Sequence, residues 1–303
     1  MATPAMAEPL LTLPAEPAAM SDAEFDVWAE LLRERTGMRL ARERRSFLIT
    51  ALAARMAERG FEDRAAYYAH LRAGAVGQLE WAALVDRLTV QETRFYRDAA
   101  SLDWLRGAGL PALLSGLPPA TALQAWSAGC ATGEEAYTLA MLLDEALAGT
   151  GRYFGVTGSD LSLRALARAR RGEFPARRLA PLPTEWRERY CEPLPGERYQ
   201  VCERLRARTC FLQNNLLEPA SSPLPAMHLI VCQNVLIYFD RPRREQLLAE
   251  LARRLQPGGL LVLGAGELSR WRPAGLERVA QDHLLIFRRR ADATVAPAAG
   301  TRA

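Results

Sequence analysis

LQAWSAGCATGEEAYTLAMLLDEAL, residues 123–147, is the stretch whose reading decides the fold. Leu123–Gly129 is short and mostly apolar, as a buried strand is. Glu134–Leu147 places Ala136, Leu139, Ala140, Leu143 and Leu147 on one helical face. Gly129 and Gly133 punctuate the passage from one to the other. Downstream the same alternation recurs. YFGVTGSD (153–160) reads as a strand and Ser162–Arg171 as a helix. TCFLQNN (209–215) and HLIVCQN (228–234) read as strands, and Arg243–Leu255 as a helix stopped by Pro257-Gly258-Gly259. GLLVLGAG (259–266) and VAQDHLLIFRRR (279–290) complete the set. Strands alternating with helices predict a doubly wound α/β domain on a parallel sheet. Residues 174–208, rich in Pro and Arg with a turn at Pro195-Gly196-Glu197, break the alternation and read as a small β insertion.

Upstream the period is helical throughout. Phe25, Trp28, Leu31 and Leu32 share a face, Ser21 or Asp22 is available as N-cap, and Gly37 is a stop. A second helix is expected over Arg44–Arg59, ended by Gly60, and shorter ones around 64–73 and 77–88. The expected organisation is a disordered tail at 1–20, a helical domain at 21–95, the α/β domain at 96–290 with its insertion, and a second disordered tail at 291–303.

Composition narrows the function classes. Of 303 residues, 49% are hydrophobic and 24% charged, an ordinary globular balance. The 39 basic residues are all arginine, and a net charge of +4 does not by itself call for a polyanionic partner. No run approaches the 18 or so apolar residues of a membrane span, so no membrane insertion is expected. The five cysteines never form C-x-x-C, which argues against a zinc site or a disulfide framework and for reduced thiols in the cytoplasm.

Four constellations carry chemistry. The glycine turn, Gly129 to Gly133, sits where open α/β sheets bind ligands. Glu134-Glu135 opens the following helix. These carboxylates complement the helix dipole, but they would repel a pyrophosphate and tolerate an ammonium or sulfonium group, which favours S-adenosylmethionine over NAD. Asp160 ends the second strand, where a carboxylate accepts bonds from ribose hydroxyls or caps a helix. Asn214-Asn215-Leu216-Leu217 and Gln233-Asn234-Val235-Leu236-Ile237-Tyr238 follow later strands; an Asn amide can pair with an adenine edge, or simply form a turn. Gln91-Glu92-Thr93-Arg94-Phe95-Tyr96-Arg97 joins the two domains, with Arg and Tyr able to hold a carboxylate.

Together these motifs resemble a CheR-type chemoreceptor glutamate O-methyltransferase. The family's Asn-x-Thr-x-Phe-Phe-Arg is matched by Gln91, Thr93, Phe95, Tyr96 and Arg97. Its Trp-Ser-Ala-x-x-x-x-Gly-Glu-Glu-x-Tyr is matched from Trp126 to Tyr137. Asp160, Asn215–Leu217 and Cys232–Asp240 follow in order, over roughly residues 22–289. Gln91 and Gln233 replace an Asn and an Arg of the family, and Gly264-Ala265-Gly266-Glu267 stands for its Gly-His-Ser-Glu.

The resemblance implies a Rossmann-like S-adenosylmethionine site formed by Gln91, Thr93, Arg97, Gly129, Glu135, Asp160, Asn215, Leu216, Gln233 and Asn234, without metal. It implies that Arg97 and Tyr238 orient a glutamate carboxylate beside the methyl group. It further implies docking of an acidic receptor methylation region on the basic helix around 39–59, through Arg42, Arg45, Arg55 and Arg59, by a monomeric enzyme. Nucleic acid is a poor fit to that face, because no aromatic residues interleave with the arginines. Methylation of a different carboxylate or protein, and a non-catalytic binding module that kept the fold, are the competing readings.

Overall fold

A computed structural model describes residues 19–89, 91–218, 224–264, 275–280 and 283–291. The two terminal tails fall almost wholly outside the described residues, as do Ala265, Gly266 and Glu267.

Four helices come first: α1 (Asp22–Thr36), α2 (Arg45–Arg59), α3 (Arg64–Leu71) and α4 (Gly74–Leu88). Ser21 caps α1 by accepting the Glu24 N–H, and Gly37 ends it in the left-handed conformation. Their apolar stripes meet around Phe25, Trp28, Leu48, Leu52, Tyr67 and Leu84, all buried. Then come α5 (Ala99–Trp104) and α6 (Leu110–Ser115), joined through a π-turn at Leu105–Gly109. Sequence reading assigned no element there. The π-turn lies just before Pro111, which has no N–H to continue an α ladder.

The rest is built on β1 (Leu123–Ala128), α7 (Glu134–Ala146), β2 (Phe154–Asp160) and α8 (Leu163–Arg171). A small antiparallel sheet follows, formed by β3 (Glu173–Pro175), β4 (Cys191–Leu194) and β5 (Arg198–Val201), with α9 (Ala176–Leu179) and α10 (Thr184–Tyr190) between β3 and β4. The β4–β5 turn has Gly196 and Glu197 both at positive φ, where the Pro195-Gly196-Glu197 hairpin was expected. After α11 (Glu203–Arg206) come β6 (Thr209–Gln213), β7 (Met227–Cys232), α12 (Arg241–Arg254), β8 (Leu255–Leu263), β9 (Leu276–Arg278) and β10 (Leu285–Arg289).

The main sheet has the order β6-β2-β1-β7-β8-β10-β9. Its first five strands are parallel, and β10 runs antiparallel to both its neighbours, β8 and β9, so the sheet is mostly rather than wholly parallel. The expected single strand over 279–290 is instead β10 alone, beginning at Leu285, with β9 pairing to it from Leu276. The chain runs outward from β1 through β2 to β6, then returns to β7 on the other side of β1. That reversal opens a crevice at the carboxyl ends of β1 and β7, the place such sheets use for ligands.

Candidate active site

Gly129 follows β1 at φ +83. A Cβ there would lie 2.4 Å from Val235 Cγ2, so only glycine lets the loops after β1 and β7 approach this closely. Gly133, at φ +97, is the N-cap position of α7. Between them Ala131 also adopts positive φ. This turn is held from the next strand: Asp160 accepts the Ala131 N–H at 2.9 Å through one oxygen and the Ser162 N–H at 2.9 Å through the other. Asp160 is therefore not the cap of α8. Ser162 fills that role, accepting the Ala165 N–H. A carboxylate offers about four acceptor sites, so capacity remains for a hydroxyl donor. Burial raises the Asp160 carboxyl above the ordinary aspartate value, against the pull of the Ser162 and Ala131 N–H groups.

The two glutamates at the start of α7 diverge. Glu135 lines the cavity and accepts the Ser127 hydroxyl at 2.6 Å. Glu134 turns away and is 1% exposed. It accepts Thr132 Oγ1 at 2.6 Å and Arg178 Nη1, from α9, at 2.9 Å. Arg178 also donates to the Thr93 carbonyl. Sequence reading missed Arg178, because nothing along the chain ties residue 178 to residues 93 and 134.

The resulting cavity has a volume of about 280 Å³. Gln91, Thr93, Arg97, Gly129, Glu135, Asp160, Asn215, Leu216, Gln233, Asn234 and Tyr238 all line it, so every residue expected there from sequence is brought together. Several are already engaged. Gln91 donates to Ser162 Oγ at 2.9 Å, and Gln233 to Asp98 Oδ2 at 2.7 Å. The Asn215 amide donates to the Arg35 carbonyl and to Glu218, and its oxygen accepts the Leu217 N–H. That amide braces α1 against the loop after β6. The neighbouring Asn214, buried and also on the cavity wall, has no such local role among the described residues. At the mouth, Arg97 is exposed and donates to the Glu92 carbonyl at 2.7 Å. Half-buried Tyr238 has its hydroxyl raised by burial, with Arg44 and Arg97 pulling the other way. It therefore remains a protonated donor at neutral pH.

The profile of the CheR methyltransferase SAM binding domain matches residues 91–282, and that of the CheR methyltransferase all-alpha domain matches residues 23–89. The chain belongs to the CheR methyltransferase family. A chemotaxis protein methyltransferase of Klebsiella aerogenes is 32% identical over 254 residues, covering 82% of this chain and 84% of that protein. One from Borreliella burgdorferi is 29% identical over 238 residues, 77% of this chain and 84% of that protein. A probable biofilm formation methyltransferase, WspC, of Pseudomonas aeruginosa is 30% identical over 270 residues, 88% of this chain but 62% of that longer protein. This CheR methyltransferase uses S-adenosylmethionine. The cavity fits that molecule: spare acceptor sites on Asp160 suit a ribose, Glu135 suits an ammonium, and the cradle at Gly129 admits no side chain.

The four arginines expected to dock substrate are otherwise occupied in this methyltransferase. Arg42 pairs with Asp26 at 2.7 Å and Asp22 at 3.1 Å, and Arg45 pairs with Asp22. Arg55 pairs with Glu80 at 2.7 Å and with Glu58, and Arg59 reaches Glu80 at 3.3 Å. These contacts tie α2 to α1 and α4. Apart from Glu58, the partners lie on other helices, beyond the reach of a count of charges along 39–59. By contrast Arg39, Arg44, Arg94 and Arg97 make no ion pair among the described residues. Among those residues no group of three or more metal-ligating side chains is placed to hold a metal, and no helix is long and apolar enough to cross a membrane. All five cysteines are free thiols.

Proposed function

We propose that this methyltransferase esterifies glutamate side chains in the cytoplasmic methylation region of chemoreceptors. The observation that carries the reading is the pairing of Arg97 with Tyr238 at the mouth of the cavity. One is a guanidinium without a carboxylate partner, the other a phenol held in its protonated form. Together they present donors to an incoming carboxylate.

A glutamate is ionised well below neutral pH, so no general base is needed. When bound, S-adenosylmethionine supplies a methyl group on a sulfonium sulfur; the carboxylate oxygen forms the new C–O bond as the C–S bond breaks, its electron pair passing to sulfur. The protein's work is alignment, which can contribute several kcal/mol by itself. Asp160 and Glu135 fix one reactant, while Arg97 and Tyr238 steer the other. Negative charge on the carboxylate falls as the reaction proceeds. A tight ion pair with Arg97 would therefore hold back the ground state, and donation from Tyr238 with a looser Arg97 serves better. Among the cofactor contacts, Asn214 is the better placed amide for an adenine edge and Asn215 the brace behind it. The enzyme works as a monomer in the cytoplasm and needs neither metal nor nucleic acid. Supplying a purified receptor cytoplasmic fragment and radiolabelled methyl donor tests this. Base-labile label on glutamate is the expected result, and label on any other side chain overturns it.

A further inference from the structure

Arg42, Arg45, Arg55 and Arg59 are tied to carboxylates of their own domain, which directs attention to arginines without such partners. A groove of about 410 Å³ lies between α2 and α8 and extends from the active-site cavity: Thr89 and Gln91 line both. Its floor is apolar, formed by Phe47, Ala51 and Ala54 of α2. Its far wall carries Arg164 and Arg168 of α8. Both are exposed, and neither makes an ion pair or side-chain hydrogen bond among the described residues. Beside this floor the Arg44 guanidinium lies over the Phe47 ring, 4.6 Å from its centroid, and its charge opposes the rise that burial gives the Tyr238 hydroxyl. Arg44, Arg164 and Arg168, none ion-paired among the described residues, thus border one groove, and Arg87, which also lines it, pairs with Glu58. Among the described residues Asp86 is the one carboxylate lining it, and it accepts the Arg164 backbone N–H at 3.3 Å.

We propose that this groove, and not the outer face of α2, seats the substrate as an acidic amphipathic helix whose methylated glutamate enters beside Tyr238. Arg164 and Arg168 are one helical turn apart on α8, so they match carboxylates spaced one turn apart on a partner helix. The apolar floor takes that helix's hydrophobic edge, while Arg44 meets the acidic residue nearest the reacting one. The inference rests on the carboxylate-methylation reading above, but its test does not depend on turnover.

The probe is a synthetic helical peptide with glutamates at one-turn spacing, and its all-glutamine counterpart. Binding to the full chain saturated with S-adenosylhomocysteine is followed by fluorescence anisotropy at low and high salt. Wild type should bind the glutamate peptide, bind the glutamine peptide much less, and lose affinity with salt. Arg164→Glu/Arg168→Glu should raise the peptide Kd at least about tenfold, since like charges would then face each other, with melting temperature and S-adenosylhomocysteine affinity unchanged. Arg164→Lys/Arg168→Lys should retain most binding. Asp86→Asn should tighten binding, an outcome that misfolding cannot imitate. Binding that survives the double reversal but is lost in Arg42→Glu/Arg45→Glu overturns the groove in favour of the outer face. Absence of any peptide binding by wild type overturns it as well. Peptide binding lost on reversal, without methyl transfer by wild type, upholds the groove and sinks the substrate reading instead.

Discussion

The Arg178 guanidinium, carried by the β insertion, lies 2.9 Å from the Glu134 carboxylate at the first turn of α7. Glu134 is buried beside the cofactor turn, and Arg178 also holds the Thr93 carbonyl of the segment that joins the two domains. Arg178→Met should leave a buried carboxylate without its cation. Burial already raises the Glu134 carboxyl, with Arg178 opposing that rise, so the variant should take up a proton at higher pH. The expected cost is about 1–3 kcal/mol of stability, reduced from the full buried-pair figure because Arg178 is partly exposed. S-adenosylhomocysteine affinity should fall with it, and Arg178→Met/Glu134→Gln should recover much of both. Calorimetry and thermal melts decide; a variant with unaltered affinity would make the insertion a bystander.

Asp160→Ala should weaken S-adenosylhomocysteine binding by roughly 1–3 kcal/mol, the scale of lost charge-assisted bonds. Because burial raises the Asp160 carboxyl, wild-type affinity should decline as pH falls through a value above the ordinary aspartate range. Asp160→Asn should flatten that profile. Titration calorimetry across mildly acidic pH checks both, and an identical profile in the Asn variant would remove Asp160 from the binding equilibrium.

Arg97→Ala and Tyr238→Phe should slow methyl transfer far more than they weaken calorimetric binding of S-adenosylhomocysteine. Equal losses in the two measurements would place both residues in the cofactor pocket rather than beside the reacting carboxylate.

Arg55→Glu is first a test of folding. Arg55 is 14% exposed and Glu80 5%, and Tyr67 Oη donates to the same carboxylate at 2.7 Å. Placing a second carboxylate there should cost about 3–5 kcal/mol. Burial pushes the Glu80 carboxyl up, but bonds from Arg55 and Tyr67 outweigh it and hold it below the ordinary glutamate value. A carboxylate whose folded value is depressed stabilises above its unfolded value, and that contribution is lost as pH falls through the folded one. Acid should therefore loosen the helical unit of wild type by this route. A melting temperature for Arg55→Glu equal to wild type would contradict the buried pair.

The strand–turn–helix unit around Gly129 was legible because its period, its glycines and its paired glutamates occur within one short stretch. Much of the cavity lining was legible for the same reason, since Gly129, Asp160, Asn215 and Gln233 end or follow strands that periodicity identifies, whereas Gln91, Thr93 and Arg97 come from the segment that joins the two domains. Ion pairs were not, since Arg55 and Glu80 lie 25 residues apart on different helices, and a count of arginines cannot show which are neutralised. Nor was the bracing role of Asn215, which depends on α1 presenting the Arg35 carbonyl from 180 residues away. The helix around Pro111 was missed because proline and glycine in 105–116 hide the apolar period.

The end of α1 offers a different lesson. Gly37 leaves no room for a Cβ, which would lie 1.9 Å from Leu217 Cδ1 and 2.8 Å from Arg243 Nη1. Around it Arg243 donates to the Arg33 carbonyl at 2.8 Å, and the Arg39 N–H donates to the carbonyl of Tyr238 at 2.7 Å. The last turn of the first helix and the residues that follow it are thus part of the wall behind Tyr238, the tyrosine proposed to steer the carboxylate. A chimera that exchanges helical units between relatives to redirect receptor choice must keep residues 33–39 with the catalytic half, or it will carry a damaged active site along with its new specificity.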